Sequence, residues 1–307
     1  MCSRRPVAEI SLSPIERVIQ QVKQNGPDIA KYFILNDEGN IIVKADLQDD
    51  SGYFEVVYDL DEAELLEDSS YAVRFTVREK GSETILEDTL VWQPVTSDAG
   101  ILLSFDDRYT ESWERHFDLF DKYGAHVTFF IQGEFTPFCI DAINRGHDVG
   151  YHSLTHPDLR AVSREIFMEE TVDPVGTFRQ AGIPLLSFAY PYGFSESWMK
   201  EILLRTFAVL RGYGTTFRLY TESEIRSGFI SSRGIDNNVI PGEENFDRSI
   251  RSMLMTVKFL EGGRILPLTT HDISESAWGI SPRRLEFLLK TATDLKLRFY
   301  RFCDFAD

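Results

Sequence analysis

Asp106 and Asp107 close the apolar run Ile101-Leu102-Leu103-Ser104-Phe105, and His152-Ser153-Leu154-Thr155-His156 follows further along the chain. Two imidazoles and one carboxylate form a ligand set for a divalent metal such as zinc. A catalytic zinc takes about three protein donors and keeps a position open for water. Such a metal acidifies the water towards neutrality. A second carboxylate beside it can take the proton, and an imidazolium can protonate a leaving nitrogen. His271, followed by Asp272, is the candidate for that acid.

Each cluster also has a plainer reading. An Asp-Asp pair at a strand end is, alone, more often a turn or a helix cap. A His-x-x-x-His pair is commonly incidental. His116, His126 and His147 read as structural or exposed side chains, and Gly212-Tyr213-Gly214, with no third glycine and no following Lys-Ser/Thr, reads as a loop. The chemical reading rests on four clusters in order: Asp106-Asp107, His152 to His156, Tyr190-Pro191-Tyr192-Gly193 and His271-Asp272.

The elements around these clusters place them on one face. After Gln93 to Gly100, which has linker chemistry, strand and helix patterns alternate. Strands are predicted over 101–105, 127–131, 148–151, 186–190, 208–211, 265–269 and 297–300. Helices are predicted over 111–122, 164–180, 195–206 and 282–293. About seven strands with outer helices predict an incomplete βα barrel, and all four polar clusters fall just past strand ends, where such barrels place active sites. Before the linker, Ser13-Pro14-Ile15-Glu16 predicts a capped helix start, which Asn25-Gly26-Pro27 stops. Short aromatic and β-branched strands follow, with a hairpin-like turn at Asn36 to Asn40 and an acidic surface or turn at Asp59 to Glu64. Residues 1–98 are therefore expected to form a helix plus a small antiparallel β domain, sandwich-like, and residues 99–307 the barrel.

A net charge of −17 disfavours nucleic acid and anionic membrane surfaces as partners. Three scattered cysteines, Cys2, Cys139 and Cys303, form neither a disulfide framework nor a zinc-knuckle spacing. With no signal-like apolar run and no stretch of membrane-spanning length, the chain reads as cytoplasmic. Export or lipid anchoring is the alternative if the native N-terminus was trimmed before Cys2.

Ser104-Phe105-Asp106-Asp107, His152-Ser153-Leu154-Thr155-His156, Phe188-Ala189-Tyr190-Pro191-Tyr192-Gly193 and Leu268-Thr269-Thr270-His271 resemble successive motifs of the NodB-type polysaccharide deacetylases, carbohydrate esterase family four. The resemblance covers roughly residues 99–303. It implies a deformed (β/α)7 barrel and metal-dependent removal of an N-acetyl group from an amino sugar or polysaccharide. It also implies Asp107, His152 and His156 as ligands of a divalent metal, zinc first. Asp106 would be the general base, His271 the general acid, and the Tyr192 backbone N–H an oxyanion donor.

The chain departs from the family at Ala189, where the third motif usually has an arginine that orients and electrostatically holds the base aspartate. The Phe-Ala-Tyr-Pro-Tyr-Gly version is similar to that of some branches, including enzymes resembling poly-N-acetylglucosamine deacetylases. Arg211 is the first candidate to supply the guanidinium from another strand end, and Arg233 the second. The acidic partner of the general-acid histidine is not plain, with Asp236 a weak candidate. Two other functions stay open: a deformylase or other amide hydrolase acting on a sugar precursor, and a non-catalytic saccharide-binding protein with a vestigial barrel. The expected partner is an N-acetylated saccharide, and a homo-oligomer is left open.

Overall fold

The computed structural model describes residues 12–25, 32–35, 41–49, 52–67, 70–92, 98–260 and 263–306. The turn predicted at 36–40, the stop at 26–27, most of the linker and Cys2 lie outside the described residues. The chain divides into two compact units, Met1–Val95 and Thr96–Asp307.

In the first unit the helix Pro14–Asn25 begins as its sequence predicts. The Ser13 N–H and hydroxyl both donate to the Glu16 carboxylate, at 2.8 and 2.7 Å. Five antiparallel strands follow as a meander: β1 (Tyr32–Leu35), β2 (Ile41–Asp49), β3 (Gly52–Leu65), β4 (Tyr71–Glu79) and β5 (Ile85–Trp92). Alternation buries Phe54, Val56, Tyr58 and Leu60 of β3 together with Val73, Phe75 and Val77 of β4. The helix packs on β4 and β5 with Val18 and Val22 buried. Among the described residues the second layer is thus a helix, where a sandwich would have a second sheet. The acidic run Asp59 to Glu64 is not a turn. It continues β3 through a register shift, where Arg74 of β4 pairs with both Asp59 and Glu62 and offsets their charge.

The second unit is a closed parallel barrel of seven strands: β6 (Gly100–Asp107), β7 (Thr128–Ile131), β8 (Asp148–Tyr151), β9 (Ser187–Ala189), β10 (Val209–Gly214), β11 (Phe229–Gly234) and β12 (Ile265–Thr270). Closure comes from β12 pairing with β6, from Ile265 opposite Gly100 to Thr270 opposite Phe105. A two-stranded ladder, β13 (Asp272–Ile273) with β14 (Gly279–Ile280), leaves the top of β12. The last strand, β15 (Arg298–Tyr300), pairs with the first residues of β6, whereas β7 pairs with the last ones. It therefore fills the space below β7 and is not one of the seven.

The barrel strand that the apolar pattern did not predict is β11. Phe229-Ile230-Ser231-Ser232-Arg233-Gly234 contains too few apolar residues to read as a buried strand. The Gly212 to Gly214 segment, expected as a loop, is the end of β10. The helical pattern over 164–180 is two helices, Arg164–Thr171 and Val175–Gln180, with Pro174 between them.

The barrel interior is layered. Its apolar layer joins Leu102, Phe130, Val209, Ile230 and Ile265, and Tyr300, Phe302 and Phe305 pack against it. A polar layer is built from Ser104, Thr269 and Ser232. The Thr269 hydroxyl lies 2.9 Å from that of Ser104 and 2.5 Å from that of Ser232. This polar layer explains the hydroxyls inside otherwise apolar strands, and it receives a buried cation.

Candidate active site

That cation is Arg211. Its Nη1 donates to Ser232 at 2.9 Å and to Thr269 at 3.1 Å, its Nη2 donates to Asp106 Oδ2, and its guanidinium carbon lies 5.0 Å from the centre of the Phe130 ring. Arg211 and Ala189 are cross-strand partners in the β9–β10 ladder. The guanidinium missing at Ala189 is therefore supplied from the same height on the neighbouring strand. Arg233 turns away and donates to the Thr215 carbonyl. Asp106 is buried, and its Oδ1 has no hydrogen-bond partner among the described residues. An unpaired buried carboxylate oxygen is costly and marks a position for a donor supplied by a bound molecule.

Asp107, His152 and His156 converge beside it. One donor atom from each lies within 4.8 Å of the others. His152 Nδ1 donates to the Ala189 carbonyl at 2.8 Å, which commits its Nε2 to the cluster, 3.5 Å from Asp107 Oδ1. His156 Nε2 is 3.6 Å from the same oxygen. Asp107, Ser153 and His156 all have positive φ (83°, 65° and 62°), conformations disfavoured for side-chain-bearing residues and found where function fixes geometry. Glu170, buried on the helix Arg164–Thr171, restrains this loop. Its carboxylate accepts from the Leu154 N–H (3.1 Å), the Thr155 N–H (2.8 Å) and the Thr155 hydroxyl (2.6 Å).

The electrostatics suit ligation. Burial works to raise the Asp107 carboxyl, but the His152 hydrogen bond and the His152, His271 and His156 charges outweigh it and hold the carboxyl below its usual range. Burial, then the neighbouring His152, lowers His156, favouring the neutral imidazole a metal requires. The donor set therefore fits a divalent cation: three converging N and O atoms, one ring pre-oriented through its far nitrogen.

His271 stands at the top of β12, the neighbour of β6. Its Nδ1 donates to the Asp236 carboxylate, 3.1 and 3.0 Å from the two oxygens. Asp236 is fully buried and also accepts from Thr270 Oγ1 at 2.7 Å and the His271 N–H at 3.1 Å. Burial disfavours the imidazolium, yet the hydrogen bond and charge of Asp236, with the charges of Asp106 and Asp107, raise His271 to about 9. Trp113 Nε1 donates to the His271 carbonyl at 2.7 Å and fixes the backbone. Tyr192 caps the other side, its ring centre 4.6 Å from that of His156. The turn there needs Gly193: φ is 75°, and a Cβ would lie 2.5 Å from the Tyr213 nitrogen.

All seven residues singled out from sequence therefore meet at the C-terminal mouth of the barrel. Asp236, flagged weakly, sits behind His271. Ser232, Thr269 and Glu170 were not recognised as site residues. Thr269 lies within the Leu268-Thr269-Thr270-His271 motif, but nothing in spacing marks its partner Ser232 or the more distant Glu170. His147 is buried among rings, 5.4 Å from Phe117 by ring centres, and burial lowers it to about 3, so it is structural.

The fold and this cluster define a βα-barrel domain with a potential divalent-metal site. The family model for polysaccharide deacetylases matches residues 94–206, a stretch that includes Asp106, Asp107, His152, His156 and Tyr192. An uncharacterized 30.6 kDa protein of Geobacillus stearothermophilus is 33% identical over 75 residues, which span 23% of this chain and 28% of that protein. Among solved structures, the peptidoglycan deacetylase PdaC from Bacillus subtilis is 19% identical, with a TM-score of 0.43 over 67% of this chain and 89% of its own. A family 4 carbohydrate esterase from Streptomyces lividans, in complex with acetate, is 15% identical, with a TM-score of 0.45 over 66% and 92%. At such identities the likeness concerns the fold alone.

Proposed function

We propose that this protein is a metal-dependent hydrolase that removes the N-acetyl group from an amino sugar within a saccharide. One observation carries the reading: a ligand-type triad shares the barrel mouth with two differently prepared proton-transfer groups, Asp106 against Arg211 and His271 against Asp236. Asp107, His152 and His156 would hold the cation, zinc first. When bound, it would polarise the acetyl carbonyl and acidify water.

Asp106 takes a proton from the attacking water at Oδ1, the carboxylate oxygen left without a partner, while Arg211 holds Oδ2. The Tyr192 N–H donates to the oxygen on which charge develops. His271, carried as imidazolium by Asp236, gives its Nε2 proton to the departing amine, and acetate leaves. The base and the acid have different partners, a guanidinium for Asp106 and a carboxylate for His271.

The test is Asp106→Asn assayed on an N-acetylglucosamine oligomer. Acetate release should fall on the order of 10²–10⁴-fold with the metal content unchanged. Undiminished turnover would remove Asp106 from the mechanism. Formate release from an N-formyl sugar, measured in parallel, separates deacetylation from deformylation.

A further inference from the structure

Gly212-Tyr213-Gly214, read from sequence as a loop, ends β10 and carries a side chain that the mechanism above does not use. Residues two apart on a strand share a face, so Arg211 and Tyr213 both turn inward. Arg211 reaches the base, Asp106. The Tyr213 hydroxyl reaches the carboxylate behind the acid and donates to Asp236 Oδ2 at 3.4 Å. Its ring stands edge-on to His271, 6.0 Å away by ring centres and with 63° between the planes. A single strand thus serves both proton-transfer groups.

Two glycines make room for Tyr213. A Cβ at Gly234, on the neighbouring strand β11, would overlap its ring and hydroxyl. A Cβ at Gly193 would lie 2.5 Å from its nitrogen and 2.7 Å from its carbonyl oxygen, so the turn that presents the Tyr192 N–H packs directly on the Tyr213 backbone. Opposite Tyr213 in the β10–β11 ladder stands Ser232, which holds Arg211. The position of the hydroxyl is therefore set by packed backbone.

Asp236 Oδ1 accepts from Thr270 and the His271 N–H, Oδ2 accepts from Tyr213, and His271 Nδ1 lies between the two oxygens. Burial, then the charges of Asp236 and Asp106, push the Tyr213 phenol up, so it keeps its proton and acts as a donor. The other charges around these two rings are those of Asp107 on β6, Arg211 on β10 and Arg233 on β11. Asp272 follows His271 in the chain, its Oδ2 taken by the Ser274 hydroxyl. A carboxylate that accepts one more hydrogen bond has less charge to spare for its imidazolium partner. An imidazolium held too firmly is a poor acid, since proton transfer is best served by a pKa near the working pH. Resting on the deacetylase reading above, we propose that Tyr213 is a positioning residue for proton delivery: it fixes Asp236 and limits how firmly that carboxylate keeps the proton on His271.

Tyr213→Phe keeps the ring and removes the donor. The alkaline limb of kcat/KM for acetate release should move to higher pH by about half a pH unit, which a role confined to packing would not cause. In an Asp236→Asn background the same substitution should move the limb no further, because the carboxylate it acts through is gone. NMR titration of the His271 imidazole in the zinc-supplemented proteins reads the same change without turnover, the signal being assigned by its loss in His271→Gln. An unmoved imidazole in Tyr213→Phe, a move to lower pH, or an equal move in the Asp236→Asn background would overturn the proposal. A shifted imidazole in a protein that releases no acetate defeats the deacetylase reading but leaves the hold of Tyr213 on Asp236, whereas acetate release with an unshifted imidazole does the reverse.

Discussion

Replacing Arg211 with Met tests the innermost part of the site. The pair it breaks is desolvated: the side chains are 0% exposed for Arg211 and 3% for Asp106. Removing one partner of a buried pair leaves an uncompensated charge and costs about 3–5 kcal/mol. For a domain of this size, about 2–4 °C per kcal/mol lowers the melting temperature by roughly 6–20 °C. Adding Asp106→Asn removes the stranded charge, so the double variant should recover much of that loss. Activity should not recover with it, because the group that takes the proton is gone. Thermal unfolding and acetate release, measured on the two single variants and the double variant, separate the effects. If Arg211→Met melts within a degree or two of the unsubstituted protein, or if the double variant is the least stable of the three, Arg211 does not compensate Asp106.

Asp236→Asn removes the charge and carboxylate hydrogen bond that do most to raise His271, while leaving its burial and the smaller influence of Asp106 and Asp107. The imidazolium is the working form below its pKa and is lost as pH rises through it, so the alkaline limb of kcat/KM should move to lower pH; an unmoved limb assigns it to another group. Glu170→Gln turns one acceptor oxygen into a donor facing N–H donors, and zinc affinity, read by competition with a chelator, should fall about tenfold with the fold intact by circular dichroism. Gly193→Ala forces a Cβ against the Tyr213 backbone at a positive φ, and should lower stability by more than about 1 kcal/mol in urea unfolding.

The site was legible where its chemistry is local in sequence. Asp106-Asp107 and His152 to His156 gain meaning from their order with the two later clusters, and the apolar run of β6 shows what carries the aspartates. Arg211 was legible through the resemblance, which implies an arginine where Ala189 stands and leaves Arg211 and Arg233 to replace it from other strand ends. The β11 strand was not legible, because only Phe229 and Ile230 in it are large and apolar, while Ser232 serves the polar interior that seats Arg211 and so breaks the apolar pattern. Glu170 was hidden for a related reason. A glutamate on a helix reads as solvated, and only the folded loop shows its carboxylate turned inward to backbone N–H groups. The helix covering the first sheet was predicted as a helix, but its role as the second layer depends on packing that no local pattern records.

Acetate release from an N-acetylglucosamine oligomer, followed before chelation, after chelation and after zinc is restored, tests the central claim most directly. Release that stops with the metal's removal and returns with zinc is the predicted result. Release that continues undiminished in protein shown to be metal-free would contradict it, as would a zinc-loaded protein that frees no acetate.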